Sequence, residues 1–219
     1  TGMDVLTHAT EAYVSQMASD YTDGLALQAI KLVFENLESS VKNADFHSRE
    51  KMHNASTIAG MAFANAFLGI SHSMAHKIGA QFHTVHGRTN AILLPYVIRY
   101  NGTRPSKTTT WPKYNYWKAD EKFQDIARML GLPHSTPEEA VEAYAKAVYD
   151  LGEAVGITMN FKGFGIDEKA WKDSLHEIAL LAYEDQCSPA NPRLPMVADM
   201  EEIMADAYYG YAERPGRRK

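Results

Sequence analysis

Four of the nine histidines in this 219-residue chain fall between positions 72 and 86, and they restrict the fold more than any other feature. His72 and His76 are four residues apart, and Asp4 and His8 repeat that spacing near the N-terminus. On a helix, residues i and i+4 share a face one turn apart. The pattern therefore requires two helices, each offering a pair of ligand-type side chains on one face. His86 follows His76 by ten residues and precedes Gly87. A glycine there marks the end of the histidine helix and a turn that can carry His86 back toward His72. Imidazoles combined with a carboxylate suit a borderline divalent metal such as Zn²⁺ or Fe²⁺. A single pair of histidines at this spacing arises by chance on helix surfaces. Five metal-competent residues confined to two helical faces and one loop form a narrower pattern.

The rest of the chain reads as helix after helix, with no convincing strand and no internal repeat. Met3, Leu6, Ala9, Ala12, Tyr13 and Met17 form the apolar stripe of a helix over 3–18. Thr22 is the expected N-cap of a second helix, whose stripe runs through Leu25, Ala29, Ile30, Leu32, Val33, Phe34 and Leu37. Ser48 is the expected cap of a third, which ends in the Ala- and Gly-rich 60–69 and is expected in the core. Met52, Met61 and Met74 read as core filler. Ser71 opens the histidine helix, which runs to about Phe82. A further helix over 87–100 buries Ala91, Ile92, Leu94, Val97 and Ile98 and carries Pro95 inside it, where proline usually kinks.

Residues 101–118 break the pattern. Gly102, Pro105 and Pro112 predict an irregular loop, and Trp111, Tyr114, Tyr116 and Trp117 either pack back on the helices or form a contact surface. Helices follow at 118–131, at 137–155 (Pro137 and Glu138 in its first turn), at 167–181 and from 196 or 197 to 209, with a turn at 163–165. His47, His53, His134 and His176 read as surface residues. The basic stretch from Glu213 to Lys219 reads as a frayed tail.

A length of 219 residues supports one sizeable core with at most a small lobe. The net charge of −5 gives no reason to expect nucleic acid, and no run of about 18 apolar residues predicts a membrane span. The lone cysteine, Cys187, cannot form an internal disulfide, in keeping with a cytoplasmic location. The chain opens Thr1-Gly2 without an initiator methionine and has no Gly-rich phosphate loop. It is therefore expected to be a piece of a longer protein.

The segments GMDVLTHATEAY (2–13) and HSMAHKIGAQFHTVHGRTNAILLPYV (72–97) resemble the two signature segments of the iron-containing (group III) alcohol dehydrogenases. AYEDQCSPANPRLP (182–195) is similar to the C-terminal part of the bifunctional aldehyde–alcohol dehydrogenases. The resemblance implies an all-α, multi-helix C-terminal metal-binding domain of the iron-containing alcohol dehydrogenase/dehydroquinate synthase-like fold over residues 1–209, with 210–219 a basic flexible tail. It implies Asp4, His8, His72 and His86 as metal ligands for Fe²⁺, and His76 as the catalytic residue between metal, substrate and nicotinamide. Zn²⁺ is the alternative ion in a purified fragment, because divalent affinities favour it. It places Cys187 at most in the lining of the substrate pocket. Glu11 shares a helical face with Asp4 and His8, and reads equally as an acceptor for a ligand imidazole or as an ordinary helix carboxylate in a salt bridge.

The activity implied is interconversion of a short-chain aldehyde and a primary alcohol (acetaldehyde and ethanol) with NAD. The nucleotide-binding half and an aldehyde dehydrogenase domain would be supplied by the longer chain, so the fragment alone is expected to be inactive. A homo-oligomer or filament is also implied. Two other readings stay open on the residues alone: a metal-dependent hydrolase with His76 as general base, and a helical interaction domain without activity.

Overall fold

The fold follows from one helix with two apolar faces. In a computed structural model, which describes residues 1–105 and 117–210, α5 (His86–Gly102) turns Ala91, Leu94 and Ile98 to one side and Ile92, Leu93, Tyr96 and Val97 to the other. A helix apolar nearly all round is buried on all sides, and α5 forms the wall between two cores.

The first core gathers α1 (Gly2–Val14), α2 (Asp20–Lys42), α3 (Phe46–Ala66), α6 (Ala119–Met129) and α7 (Pro137–Ala154). The second gathers α4 (Ile70–Phe82), the single-turn α8 (Phe161–Phe164), α9 (Glu168–Tyr183) and α10 (Val197–Tyr209). Trp171 anchors it, stacked on Phe82, Phe161 and Tyr208 at centroid distances of 5.5, 4.9 and 5.2 Å. The described residues form no strand. The expected all-helical class therefore holds, but the single expected core is two. No single helix among the described residues is long and apolar enough to cross a membrane.

Several helix starts lie earlier than the sequence predicts. The N-cap of α2 is Ser19. Thr22 is the third helical residue and completes a capping box, accepting the Ser19 N–H at 2.8 Å. Asp45 likewise caps α3 by accepting the Ser48 N–H at 2.9 Å, so Ser48 is the capped residue. A side-chain acceptor three residues upstream outcompetes the hydroxyl first read as the cap in both cases. The first helix stops at Val14 because the Ser15 hydroxyl donates to the carbonyls of Ala66 and Ala190 instead of continuing the helix. Met17 is therefore outside the stripe and 52% exposed.

On α3 the buried residues are Ser48 in the first turn and then Ala55, Ala59, Ala62 and Ala66; Met61 lies on the opposite, exposed face and fills no core. Gly165 closes α8 where the sequence reads only a turn. His47, His53 and His176 are exposed as expected, although His176 pairs with Glu201 at 2.5 Å. His134 is half-buried, its Nδ1–H donating to the Leu132 carbonyl. Of the 101–118 loop, Asn101 and Gly102 still belong to α5, and Trp117 packs on the first core. Trp111, Tyr114 and Tyr116, and the tail from 211, lie outside the described residues.

The chain turns by 105° between α3 and α4. Phe67 at the corner adopts φ +62°, a left-handed backbone that costs a side-chain-bearing residue roughly 1–3 kcal/mol. This corner aims the start of α4 at α1. The contact between α5 and α7 is equally close: a Cβ built on Gly102 would lie 2.5 and 2.7 Å from the two methyls of Val141. Gly102→Ala should therefore lower the unfolding free energy by about 1–3 kcal/mol despite the better helix propensity of alanine. Denaturant unfolding checks this, and Gly102→Ala with Val141→Ala should recover part of the loss.

Candidate metal centre

Three helix segments from the two cores meet at one point. α1 brings Asp4, His8 and Glu11, the first turns of α4 bring Ser71, His72 and His76, and α5 begins at His86. The short link between α4 and α5 depends on His83, which takes the left-handed conformation (φ +54°) and ends α4. The turn thus comes before Gly87, not at it. Gly87 lies in the first turn of α5, where a Cβ would come 3.2 Å from the Asp4 Cβ. Its lack of a side chain lets the start of α5 approach α1.

The five residues singled out in the sequence converge. Asp4 Oδ1 lies 3.9 Å from His72 Nε2 and 3.7 Å from His86 Nε2, and Asp4 Oδ2 lies 4.0 Å from His8 Nδ1. The His72 ring is 4.4 Å from His8 and 5.4 Å from His86, centroid to centroid. His76 stacks on His86 at 5.3 Å with 12° between the planes, so it sits beside the cluster.

Hydrogen bonds fix which nitrogens face inward. His8 Nδ1–H donates to the Asp4 carbonyl at 2.7 Å, leaving Nε2 with its lone pair. His72 Nδ1–H donates to Glu11 at 2.5 Å. Glu11, only 2% exposed, also accepts the Ser71 N–H at 2.7 Å. Of the two readings of Glu11, the geometry supports an acceptor for a cluster imidazole. Glu11 also satisfies an N-terminal N–H of α4, whose N-cap Gly69 has no side chain to do so. A Cβ on Gly69 would lie 2.9 Å from Glu11 Oε1, so only glycine leaves room for that carboxylate.

Burial, with the neighbouring His72 next, holds the His8 pKa below its ordinary value against the opposing pull of Asp4. The His86 pKa is also lowered, first by burial, while Asp4 pulls it up and His72 and His76 push it down. His86 is the first residue of α5, where the helix dipole further disfavours imidazolium. Both shifts favour the neutral ring, the form in which imidazole binds metal.

The donor set fits a divalent cation. His72 Nε2 is buried with no hydrogen-bond partner, although the residue is only 1% exposed. An orphaned buried nitrogen is costly unless something binds it, and it faces a carboxylate oxygen beyond hydrogen-bond range. Asn90 Nδ2 donates to Asp4 Oδ1 at 2.9 Å and to His86 Nε2 at 3.2 Å, one donor serving two inward-facing lone pairs.

Sequence reasoning did not single out Asn90 or Asp185, and it read Ser71 only as the start of the histidine helix, which begins one residue earlier at Ile70. Asp185 Oδ2 lies 3.2 Å from His76 Nδ1 and 2.8 Å from Lys77 Nζ, and Asp185 Oδ1 accepts the Cys187 N–H at 3.0 Å. It stands 109 residues from His76, so no local spacing could pair them. Cys187 is buried, and its thiol is pushed up to about 12, by burial first and then by Asp185. It is no nucleophile.

Comparison with known proteins shows which family the chain belongs to. The family model described as "Fe-containing alcohol dehydrogenase family, C-terminal" matches residues 1–208. The aldehyde-alcohol dehydrogenase of Streptococcus pneumoniae serotype 2 is 87% identical over the whole chain, which spans 25% of that protein. Aldehyde-alcohol dehydrogenase 2 of Entamoeba histolytica is 62% identical over 97% of this chain and 24% of its own length. A crystal structure of 1,3-propanediol oxidoreductase superposes with a TM-score of 0.83 at 36% identity, covering 95% of this chain and 50% of that one. The chain thus spans about a quarter of the length of these curated relatives, and it belongs to the Fe-containing alcohol dehydrogenase family, whose C-terminal region it matches.

Proposed function

We propose that this chain is the metal-binding part of an NAD-dependent alcohol dehydrogenase that interconverts a short-chain aldehyde and a primary alcohol, acetaldehyde and ethanol being the expected pair. The observation that carries the reading is the unpartnered, buried Nε2 of His72, facing Asp4 and flanked by His8 and His86. Asp4, His8, His72 and His86 would hold Fe²⁺, or Zn²⁺ in the purified chain. When bound, the metal supplies Lewis acidity toward a carbonyl or hydroxyl oxygen, and the nicotinamide supplies the hydride chemistry.

The chain's own side chains have separate tasks. The Asp4 carboxylate and the imidazoles of His8, His72 and His86 would bind the ion. The Asp4 carbonyl keeps the His8 proton on Nδ1, and Glu11 keeps the His72 proton on Nδ1, so each Nε2 stays available. The side chain of His76 is 35% exposed at the edge of the cluster, which suits it to pass a proton between the substrate oxygen and solvent. The same position makes it a poor fifth ligand. The nucleotide-binding half, an aldehyde dehydrogenase domain and subunit contacts would come from the longer enzyme.

Elemental analysis should find near one equivalent of Fe or Zn in the chain and none in His72→Ala/His86→Ala. Equal metal in both would sink the ligand assignment. In a full-length enzyme carrying this sequence, His76→Ala should lower turnover with metal content nearly intact, whereas His72→Ala should lose the metal. Equal metal loss in the two variants would show that the division of roles is wrong.

Glu11→Gln should weaken metal retention roughly 10–100-fold in competition with a chelator. A glutamine can accept from Ser71 or from His72, but its amide protons oppose whichever donor remains. Circular dichroism of the variant separates this from loss of fold.

A further inference from the structure

We infer that Asp185 is a positioning residue that holds the His76 imidazole with its proton on Nδ1 and its Nε2 free for proton exchange, an inference that rests on the proton-transfer role proposed for His76. The geometry is that of a buried carboxylate orienting an imidazole from behind. The Asp185 side chain is 7% exposed, and three donors fix it, two from adjacent residues of α4 and one from its own loop. Lys77 Nζ at 2.8 Å and His76 Nδ1 at 3.2 Å share Oδ2, and the Cys187 backbone N–H at 3.0 Å takes Oδ1. Both oxygens are committed, so the carboxylate cannot rotate away from His76.

Burial alone would raise the Asp185 pKa, but the hydrogen bonds from Lys77, Cys187 and His76 outweigh it and hold the carboxyl below its ordinary value. An ionised carboxylate can only accept, so the His76 nitrogen facing it must carry the proton. The ring is clamped on its other side by the stack on His86.

A second cation at this place is the competing reading, because donor atoms of His76, Asp185 and Cys187 lie within 4.8 Å of one another. The chemistry opposes it. The Lys77 ammonium already neutralises the carboxylate oxygen that faces His76, and the buried thiol is too weak an acid to supply a thiolate ligand.

Asparagine is the informative replacement. Its single carbonyl oxygen can accept from Cys187 or serve His76 and Lys77, but not both. If it takes the Cys187 N–H, its amide protons face His76 and force the imidazole proton to Nε2. Long-range ¹⁵N–¹H spectra of histidine-labelled chain read the tautomer directly. Wild type should show His76 protonated at Nδ1, Asp185→Leu, which leaves no acceptor there whichever way an amide would turn, should lose that state, and Lys77→Met should keep it.

In the full-length enzyme carrying this sequence, Asp185→Asn should lower kcat roughly 10–100-fold with little change in KM. Asp185→Glu should restore much of it. In a His76→Ala background, Asp185→Asn should add no further loss. An unchanged tautomer in Asp185→Leu, or an equal further loss from Asp185→Asn in the His76→Ala background, would overturn the inference. If His76→Ala itself keeps full turnover, the proton-transfer role fails instead, while the tautomer shift still decides whether Asp185 holds the ring.

Discussion

The Glu11 carboxylate makes two bonds on which much of the site depends. It accepts from His72 Nδ1 and from the Ser71 N–H, and it does so almost wholly out of water. A buried carboxylate without partners is strongly unfavourable. Here the first turn of α4 supplies the compensation: a backbone donor, an imidazole donor and the positive end of the helix dipole. The same bonds fix the His72 ring, so the capping of a helix and the aiming of a ligand-type nitrogen are one interaction. Gly69 belongs to it, because a side chain there would occupy the space the carboxylate needs.

The position of the site follows from how the two cores are joined. α1 packs in the first core and α4 in the second, with α5 between them contributing to both. The cluster lies where the start of α5 meets the other two, so the whole of it is not assembled by either core alone. Asn191 adds a tie at the same seam. It exchanges amide hydrogen bonds with Asn101 near the end of α5 and accepts, at longer range, from the Ile70 N–H at the start of α4. The N-terminus of α5 at His86 adds to the burial that lowers the pKa of that ring. The site is electrostatically set for a cation through its carboxylates and against protonated His86 through burial and that helix end.

Periodicity carried the helices well where the stripe was strong. All five core residues predicted on α5 are buried, because apolar side chains at helical spacing have few alternatives to a shared core. Boundaries were less legible. At Ser19 and Asp45 the true cap lies three residues before the predicted one, since two successive oxygen-bearing residues can each cap and only the backbone angles decide which does. The end of α1 at Val14 could not be read locally, because Ser15 is drawn off by the carbonyls of Ala66 and Ala190, residues far along the chain. The exposed Met61 shows that methionine on a helix rich in small residues does not reveal which face is buried.

By itself the sequence determined which residues can share a helical face: Asp4 with His8 and Glu11, and His72 with His76. It does so because the helical repeat is a local property of the backbone. The resemblance of two motifs to a known family then gave those residues expected roles. Only the tertiary structure decided what stands behind them. Glu11 reaches His72 across 61 positions, Asp185 reaches His76 across 109, and Asn90 reaches Asp4 across 86. Such pairings are set by the packing of α1, α4 and α5 and of the loop after α9, and a carboxylate or amide gives no local sign of which distant imidazole or carboxylate it will face.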